Sequence, residues 1–136
     1  MCLASIVMTE AAIVPPNNVR VVDFATGSAE TSVGRPAADL LLAGDPQTTT
    51  RNYFSDSGGR FFSGVWESTP GRWRIRYTEN EFCHITRGRI RIADASGQQW
   101  TFKAGDSFVI PAGFVGTWET IEPTAKLYVI YEPAAT

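Results

Sequence analysis

The sequence contains little of what several common kinds of functional site require. It has one histidine, His84, and two cysteines, Cys2 and Cys83, in 136 residues. Two cysteines do not make a disulfide framework, and a reduced, cytoplasmic chain is the simpler interpretation. A single histidine with no evident nucleophile beside it does not indicate Ser-His-Asp or Cys-His catalysis. No nucleotide-binding motif of the GxGxxG or P-loop type is present either.

Charge and long apolar runs are also scarce. Charged residues make up 19% of the chain and the formal net charge is −2, so we expect neither a nucleic acid nor an anionic membrane as a partner. Residues 1–14 are the segment to check for a signal peptide. They lack the basic start of a signal peptide, and Glu10 interrupts their apolar stretch. We therefore predict neither a signal peptide nor a transmembrane helix. We expect this segment to be an arm that packs on a partner subunit or is partly frayed.

Aromatic residues are plentiful, with eight Phe, four Trp and four Tyr in a chain long enough for one domain. From residue 47 onward, short alternating segments separated by turn residues predict strands. These cover 48–54, 60–67, 72–78, 81–86, 89–93, 108–110, 115–121 and 126–131. Such a series is typical of a β-sandwich or barrel, including jelly rolls.

The first third of the chain has weaker signals. We predict a short strand over 19–24, a loop over 26–36, and a helix of at most two turns over 36–43, ended by Gly44 and Pro46. The last of these is the one helical candidate in the chain. The apolar run Phe108–Ile110 is typical of a strand that is buried on both faces.

Two motif frames in the chain resemble those of the cupin superfamily. The segment GDSFVIPAGFVGTW, residues 105–118, keeps the glycine, the Pro-x-Gly turn and the spacing of the second cupin motif, but Gly116 stands at its histidine position. The end of the first motif matches at Glu81, and its two histidine positions fall on Ile75 and Tyr77. By this resemblance Glu81 is all that remains of the four usual metal ligands.

Longer segments resemble the cupin-3 family, which includes the cupins of ethanolamine-utilization proteins. They are GVWESTPG, ENEFCHITRGRI, GDSFVIPAGFVGTWE and the later Lys126-Leu127-Tyr128, and the similarity covers roughly residues 36–132. The resemblance implies an all-β, RmlC-like double-stranded β-helix, that is, a jelly-roll cupin barrel. It implies a single cupin domain over 36–136, with an N-terminal arm or strand over 1–35, and a homodimer. It implies no activity, because one fold hosts many functions.

The alternation of side chains along a strand predicts which residues face the barrel interior. This set surrounds the place where other cupins hold a metal and comprises Trp73, Ile75, Tyr77, Glu81, Cys83, Ile85, Gly116, Trp118 and Thr120. His84 falls on the outer face by the same rule. Within the set we take Trp73, Ile75, Gly116 and Trp118 as candidate ligand-binding residues, with core packing as the alternative for the two tryptophans.

Glu81 and Tyr77 are the candidate catalytic residues. No partner that would neutralise Glu81 is evident, and aromatic walls would desolvate it, so we expect a raised pKa that suits general acid–base catalysis. The alternative is that one of the arginines at 72, 74 and 76 reaches in and keeps Glu81 as a structural carboxylate. Tyr77 would donate to a ligand or to Glu81, or pack as a core aromatic.

We predict no metal cofactor, because Ile75 and Gly116 have no side-chain donor atom, although a divalent metal held by atypical ligands is an open alternative. Three functions fit the sequence. The first is a metal-independent enzyme that uses Glu81 and Tyr77 on a small polar or anionic metabolite. The second is a non-catalytic small-molecule sensor or accessory protein. The third is a metalloenzyme with atypical ligands.

Overall fold

The computed structural model describes residues 19–134, and within this range the chain forms β-strands and no helix. The strands are β1 (Glu30–Gly34), β2 (Leu41–Gly44), β3 (Thr48–Ser55), β4 (Phe61–Ser68), β5 (Gly71–Arg76), β6 (Asn80–Asp94), β7 (Gln99–Lys103), β8 (Ser107–Ile110) and β9 (Val115–Tyr131). Within residues 19–134 there is accordingly no helix that is long and apolar enough to cross a membrane.

All strand pairs are antiparallel, and the two long strands β6 and β9 run through both halves of the sheet. In the first half, here called sheet I, the strand order is β1-β3-β4-β9-β6-β8, with β9 contributing residues 124–131. In the second half, sheet II, the order is β2-β5-β9-β6-β7, with β9 contributing residues 115–120. The predicted all-β barrel of two facing sheets is confirmed.

Strand β6 passes from sheet I to sheet II around Gly88. Its register against β9 shifts three times between Ile85 and Ile90. The φ angle of Gly88 is 90°, a conformation that glycine adopts without steric cost. A Cβ at this position would also collide with the carbonyl oxygen of Pro123. The two strands predicted over 81–86 and 89–93 are therefore one strand that bends at a glycine.

The core lies between the inner faces of the two sheets. The ring of Trp66 in sheet I lies 5.3 Å from that of Trp118 in sheet II and 6.3 Å from that of Trp73, measured between ring centroids. The inward positions predicted from strand alternation are confirmed. Those that are buried are Trp73, Ile75, Tyr77, Glu81, Cys83, Ile85, Trp118 and Thr120, while Gly116 is half-buried.

The predictions for the first third of the chain are mostly wrong. Residues 19–24 form no strand, because the chain turns at Asp23, whose carbonyl oxygen accepts a hydrogen bond from Gly27 N at 2.7 Å. The predicted loop over 26–36 contains β1, which pairs with β3 at the edge of sheet I. The predicted arm over 1–14 lies outside the described residues.

The predicted helix over 36–43 is also wrong. A single turn closes where Leu40 N and Leu41 N both donate to Ala37 O, and the chain then enters β2. Pairing of β2 with the edge of β5, with Leu41 opposite Trp73, overrides the weak helical preference of this leucine-rich stretch. The strand over 108–110 is present, but it is not buried on both faces, since Val109 is 58% exposed.

Candidate functional site

A lysine–glutamate ion pair lies between the two sheets. Lys126 Nζ, from β9, is 2.9 Å from Glu81 Oε2, from β6, and neither side chain is exposed to solvent. The expectation that nothing neutralises Glu81 is therefore wrong, and so is the alternative that an arginine does so. The cation is a lysine whose neighbours on the same face of β9, Tyr128 and Ile130, are core residues.

Tyr77 is the second polar partner of the Glu81 carboxylate. The Tyr77 hydroxyl donates a hydrogen bond of 2.6 Å to Glu81 Oε1, as the sequence analysis anticipated. Burial raises the pKa of Tyr77 well above its ordinary value, and the negative charge of Glu81 acts in the same direction. Tyr77 is therefore a neutral hydrogen-bond donor across the physiological pH range.

Two indole rings enclose the Lys126 ammonium group. Its Nζ lies 4.7 Å from the ring centroid of Trp66 and 4.5 Å from that of Trp118, within the range of a cation–π interaction. Lys126 Nζ also donates to Cys83 Sγ at 3.5 Å. The ammonium group thus has a carboxylate, a sulfur and two aromatic faces as neighbours in place of water.

These neighbours decide the protonation state of the lysine. Burial alone lowers the pKa of Lys126, but the negative charge of Glu81 and the polar contacts with Glu81 and Cys83 act against burial, and the net shift is upward. Burial raises the pKa of the Cys83 thiol so far that the thiol is neutral near pH 7. Glu81 is therefore the group that balances the lysine's charge.

The position of Trp118 is fixed by a second buried polar network. Its Nε1 donates to Thr120 Oγ1 at 3.0 Å, Thr120 Oγ1 donates to Ser68 Oγ at 3.1 Å, and Ser68 Oγ donates to the carbonyl oxygen of Thr69 at 2.7 Å. Since the indole N–H is satisfied in this way, the ring face is held toward Lys126.

The residues at the place where other cupins hold a metal do not fit a metal ion in this chain. Of the four positions, Ile75 has no donor atom, and at Gly116 an added Cβ would collide with the carbonyl oxygen of Ala93, so no ligand side chain has room there. One carboxylate oxygen of Glu81 faces an ammonium group. Across residues 19–134 no three His, Cys, Asp or Glu side chains are grouped so that they could hold a metal. The absence of a metal cofactor stays a prediction.

The predicted ligand-binding residues form the surroundings of the ion pair. Trp73, Ile75 and Trp118 are buried in the core, while Gly116 stands opposite Ile75 at the junction of β5 and β9. None of the four lines the cavity described next. The structure brings Glu81 and Tyr77 together as expected, and the roles of all six residues stay predictions.

A cavity of about 210 Å³ opens beside the ion pair, between β7, β8 and the turn after β8. Its lining residues are Ile92, Trp100, Phe102, Val109, Ile110, Pro111 and Phe114. The sequence patterns did not predict this cavity. Ile110 is the direct cross-strand partner of Glu81, so the cavity floor and the ion pair are neighbours on the same inner face.

Lys126 was predicted to lie in a strand, but its role as the partner of Glu81 was not predicted. The strands predicted over 115–121 and 126–131 are one strand, β9. Extending the alternation that places Trp118 and Thr120 inward would have placed Lys126 inward as well. His84, by contrast, lies on the outer face as predicted, where its Nδ1 is 2.7 Å from Ser107 Oγ.

The antiparallel barrel of two facing sheets is the architecture that the cupin resemblance implies. The family model described as the EutQ-like cupin domain matches residues 56–128, and the chain belongs to this family. The resemblance to the cupin-3 family is thereby confirmed. No curated protein sequence matches the chain.

Solved structures support the fold. A protein of unknown function of the DUF861 family from Pseudomonas syringae superposes with a TM-score of 0.69 at 23% identity, covering 80% of this chain and 46% of the other. The putative ethanolamine utilization protein Q of Salmonella typhimurium gives 0.63 at 18% identity, covering 91% and 94%. EutQ of Clostridium difficile gives 0.58 at 19% identity, covering 73% and 74%. This chain thus spans less than half of the Pseudomonas protein, and at these identities the likeness concerns the fold.

Proposed function

We propose that this protein is a cupin that binds a small molecule in its barrel without a metal ion, and that Lys126 is the internal cation. The observation that carries the proposal is the fully buried contact of 2.9 Å between Lys126 Nζ and Glu81 Oε2. By the resemblance described above, Glu81 would otherwise face a metal. The ammonium group supplies a positive charge there from the chain itself.

The energetics of burial support this role. A charge that is removed from water needs a partner of opposite charge and further polar or aromatic contacts. Lys126 has the carboxylate of Glu81 and two indole faces, and Glu81 has the Tyr77 hydroxyl on its other oxygen. Each carboxylate oxygen of Glu81 thus has one partner from the chain itself, although Oε2 makes an ion pair with Lys126 and not a hydrogen bond of good geometry. A small molecule would enter through the neighbouring cavity.

Metal analysis and a binding screen together test the proposal. Protein purified without a His-tag should carry far less than one equivalent of any transition metal per chain. A thermal-shift screen of small carboxylates, amino-acid derivatives, sugars and neutral aromatic compounds should give hits that survive a chelator. Near-stoichiometric metal that is lost in Glu81→Gln would overturn the proposal in favour of a metalloenzyme with atypical ligands.

Proton transfer by Glu81 and Tyr77 is the second candidate function. The hydrogen bond of 2.6 Å from the Tyr77 hydroxyl to Glu81 Oε1 is a path for a proton between these two groups. A substrate would have to reach this path past Ile110. Turnover of a screening hit that is abolished in Glu81→Gln and in Tyr77→Phe would favour the enzyme. Binding without turnover would favour a sensor or accessory protein.

A further inference from the structure

The cavity beside the ion pair is lined by rings and aliphatic side chains. None of the described residues that line it is charged. The rings of Trp100 and Phe114 meet edge to face, with centroids 6.4 Å apart, and Phe102 stacks on Phe108 at 4.0 Å. These four rings are only partly buried, although they pack against the core. Apolar ring surface therefore remains available inside a concave site.

The two sheets limit the shape of what fits there. Facing sheets are separated by about 10 Å, and side chains from both inner faces fill most of that space. Trp100 and Phe102 belong to β7 of sheet II, whereas Ile110 belongs to β8 of sheet I. The cavity, here called the slot, thus lies between the two sheets, and it opens beside the exposed residues Val109 and Pro111.

The charged groups near the cavity determine whether a bound ligand can carry a charge. The cation nearest to the cavity floor along the inner face is Lys126, which is fully buried and already paired with Glu81. An anionic ligand in the slot would lose its hydration without meeting an unpaired positive charge. The same argument applies to a cationic ligand, because the lining residues supply no carboxylate.

We infer that this slot binds a flat, uncharged, hydrophobic ligand or the flat hydrophobic part of a larger one. The inference rests on the proposed function only in taking the barrel as the ligand-binding region. It differs from the expectation of a polar or anionic metabolite, which is the ligand class to test against it. A flat ring would contact the rings of Trp100 and Phe114 and displace water from apolar surface.

Two fluorescent probes with the same ring system but different charge test the inference. N-phenylnaphthylamine is neutral, and anilinonaphthalenesulfonate carries one sulfonate. Fluorescence titration of the full chain should show saturable binding of the neutral probe, roughly tenfold or more tighter than that of the sulfonate. Phe114→Asp, which puts a charge into the lining, should weaken binding of the neutral probe by roughly tenfold or more.

The matched control is Phe54→Asp, the same substitution at a 38% exposed position of β3, which β4, β9 and β6 separate from β8. It should leave binding of the neutral probe unchanged. If Phe114→Asp does not fold, Trp100→Ala in the edge strand β7 replaces it, with the same expected loss. Equal or tighter binding of the sulfonate, no binding of the neutral probe, or loss of binding only in Phe54→Asp would each overturn the inference. None of these outcomes would affect the metal analysis that tests the proposed function.

Discussion

Lys126 projects into the barrel from the middle of β9, and its ammonium group has no contact with water. The position tolerates a charge only because Glu81 neutralises it and because Trp66 and Trp118 present ring faces to it. The stability of each buried charge therefore depends on the presence of the other. Removing one member leaves the other charged and buried, whereas removing both leaves a neutral core.

This coupling gives a first prediction. We expect Lys126→Met to lower the free energy of unfolding by about 3–5 kcal/mol, because Glu81 is left buried without its cation. The double variant with Glu81→Gln should recover much of that loss. Urea unfolding followed by circular dichroism measures both values.

The matched control is the ion pair between Arg91 and Glu119, whose atoms are 3.3 Å apart but whose side chains are partly exposed. Arg91→Met should cost less than about 1 kcal/mol, since water screens this pair. A loss in Lys126→Met no larger than this control would contradict the view that the buried pair organises the barrel.

Glu79 gives a second prediction, on pH dependence. It is 3% exposed, and its Oε1 has no hydrogen-bond partner within residues 19–134. Burial raises the pKa of Glu79 from 4.5 to about 7, and the charges of Glu81 and Glu132 act in the same direction. The folded chain therefore binds this proton more tightly than the unfolded chain does. We expect stability to be full below the unfolded pKa and to fall by roughly 1–3 kcal/mol as the pH rises through the folded pKa.

Unfolding experiments at about pH 5 and about pH 8 on wild type and Glu79→Gln measure this contribution. The variant should lose less stability than wild type over this interval. Glu122→Gln changes an exposed carboxyl and should keep the wild-type slope. Identical slopes for wild type and Glu79→Gln would show that Glu79 does not titrate in this range.

At the scale of elements, the bend of β6 at Gly88 joins the two sheets. A third prediction follows from its geometry. Gly88→Ala should destabilise the protein by roughly 2 kcal/mol or more, because the positive φ is strained for any other residue and because the added Cβ collides with Pro123 O. The measurement is again the free energy of unfolding in urea.

A substitution at Gly97 separates the effect of the strained φ from the effect of the collision. Its φ is 91°, close to that of Gly88, but an added Cβ would have nothing within 4 Å. Gly97→Ala should therefore show the conformational strain alone, of the order of 1 kcal/mol. Equal losses in the two variants would mean that the collision at Gly88 is relieved at little cost.

The same elements show which features of the fold can be predicted from the sequence and which cannot. Strand alternation places Trp73, Tyr77 and Glu81 inward correctly, because a two-residue period depends only on local backbone geometry. It does not anticipate β1 and β2, since short polar or helix-prone segments become strands through pairing with β3 and β5. The partner of Glu81 depends on a contact between β6 and β9, which lie far apart in the sequence.

The cavity escaped prediction for a related reason. Its lining comes from three separate segments, β6, β7 and the stretch from β8 to Phe114. Only the last of these lies in a motif, the second cupin motif, and that motif directs attention to Gly116 and not to the lining residues. The family frame identified residues at the metal position of other cupins. In this chain those residues form a closed core, and the open space lies beside them.

At the scale of the whole molecule, the outer face of sheet I is unusually apolar. Phe82 lies directly opposite both Val109 and Val129 in neighbouring strands, and Phe61 lies opposite Tyr131. These five side chains, here called the outer apolar face, are each between 36% and 58% exposed. Contiguous exposed apolar surface usually marks an interface.

The fourth prediction is that the outer apolar face is the contact of a homodimer, as the family resemblance also implies. A two-fold axis would place the same patch of each subunit against its copy, so one patch suffices for both. Sedimentation velocity at micromolar concentration should give a dimer for wild type. Val129→Asp should give a monomer, because the interface would then bury two unpaired carboxylates, one from each subunit.

The control is Val115→Asp, which introduces the same charge at a 52% exposed valine of β9 in sheet II, outside the outer apolar face. It should stay dimeric. A wild-type monomer would contradict the prediction outright, and a dimer that persists in Val129→Asp but dissociates in Val115→Asp would move the interface to sheet II.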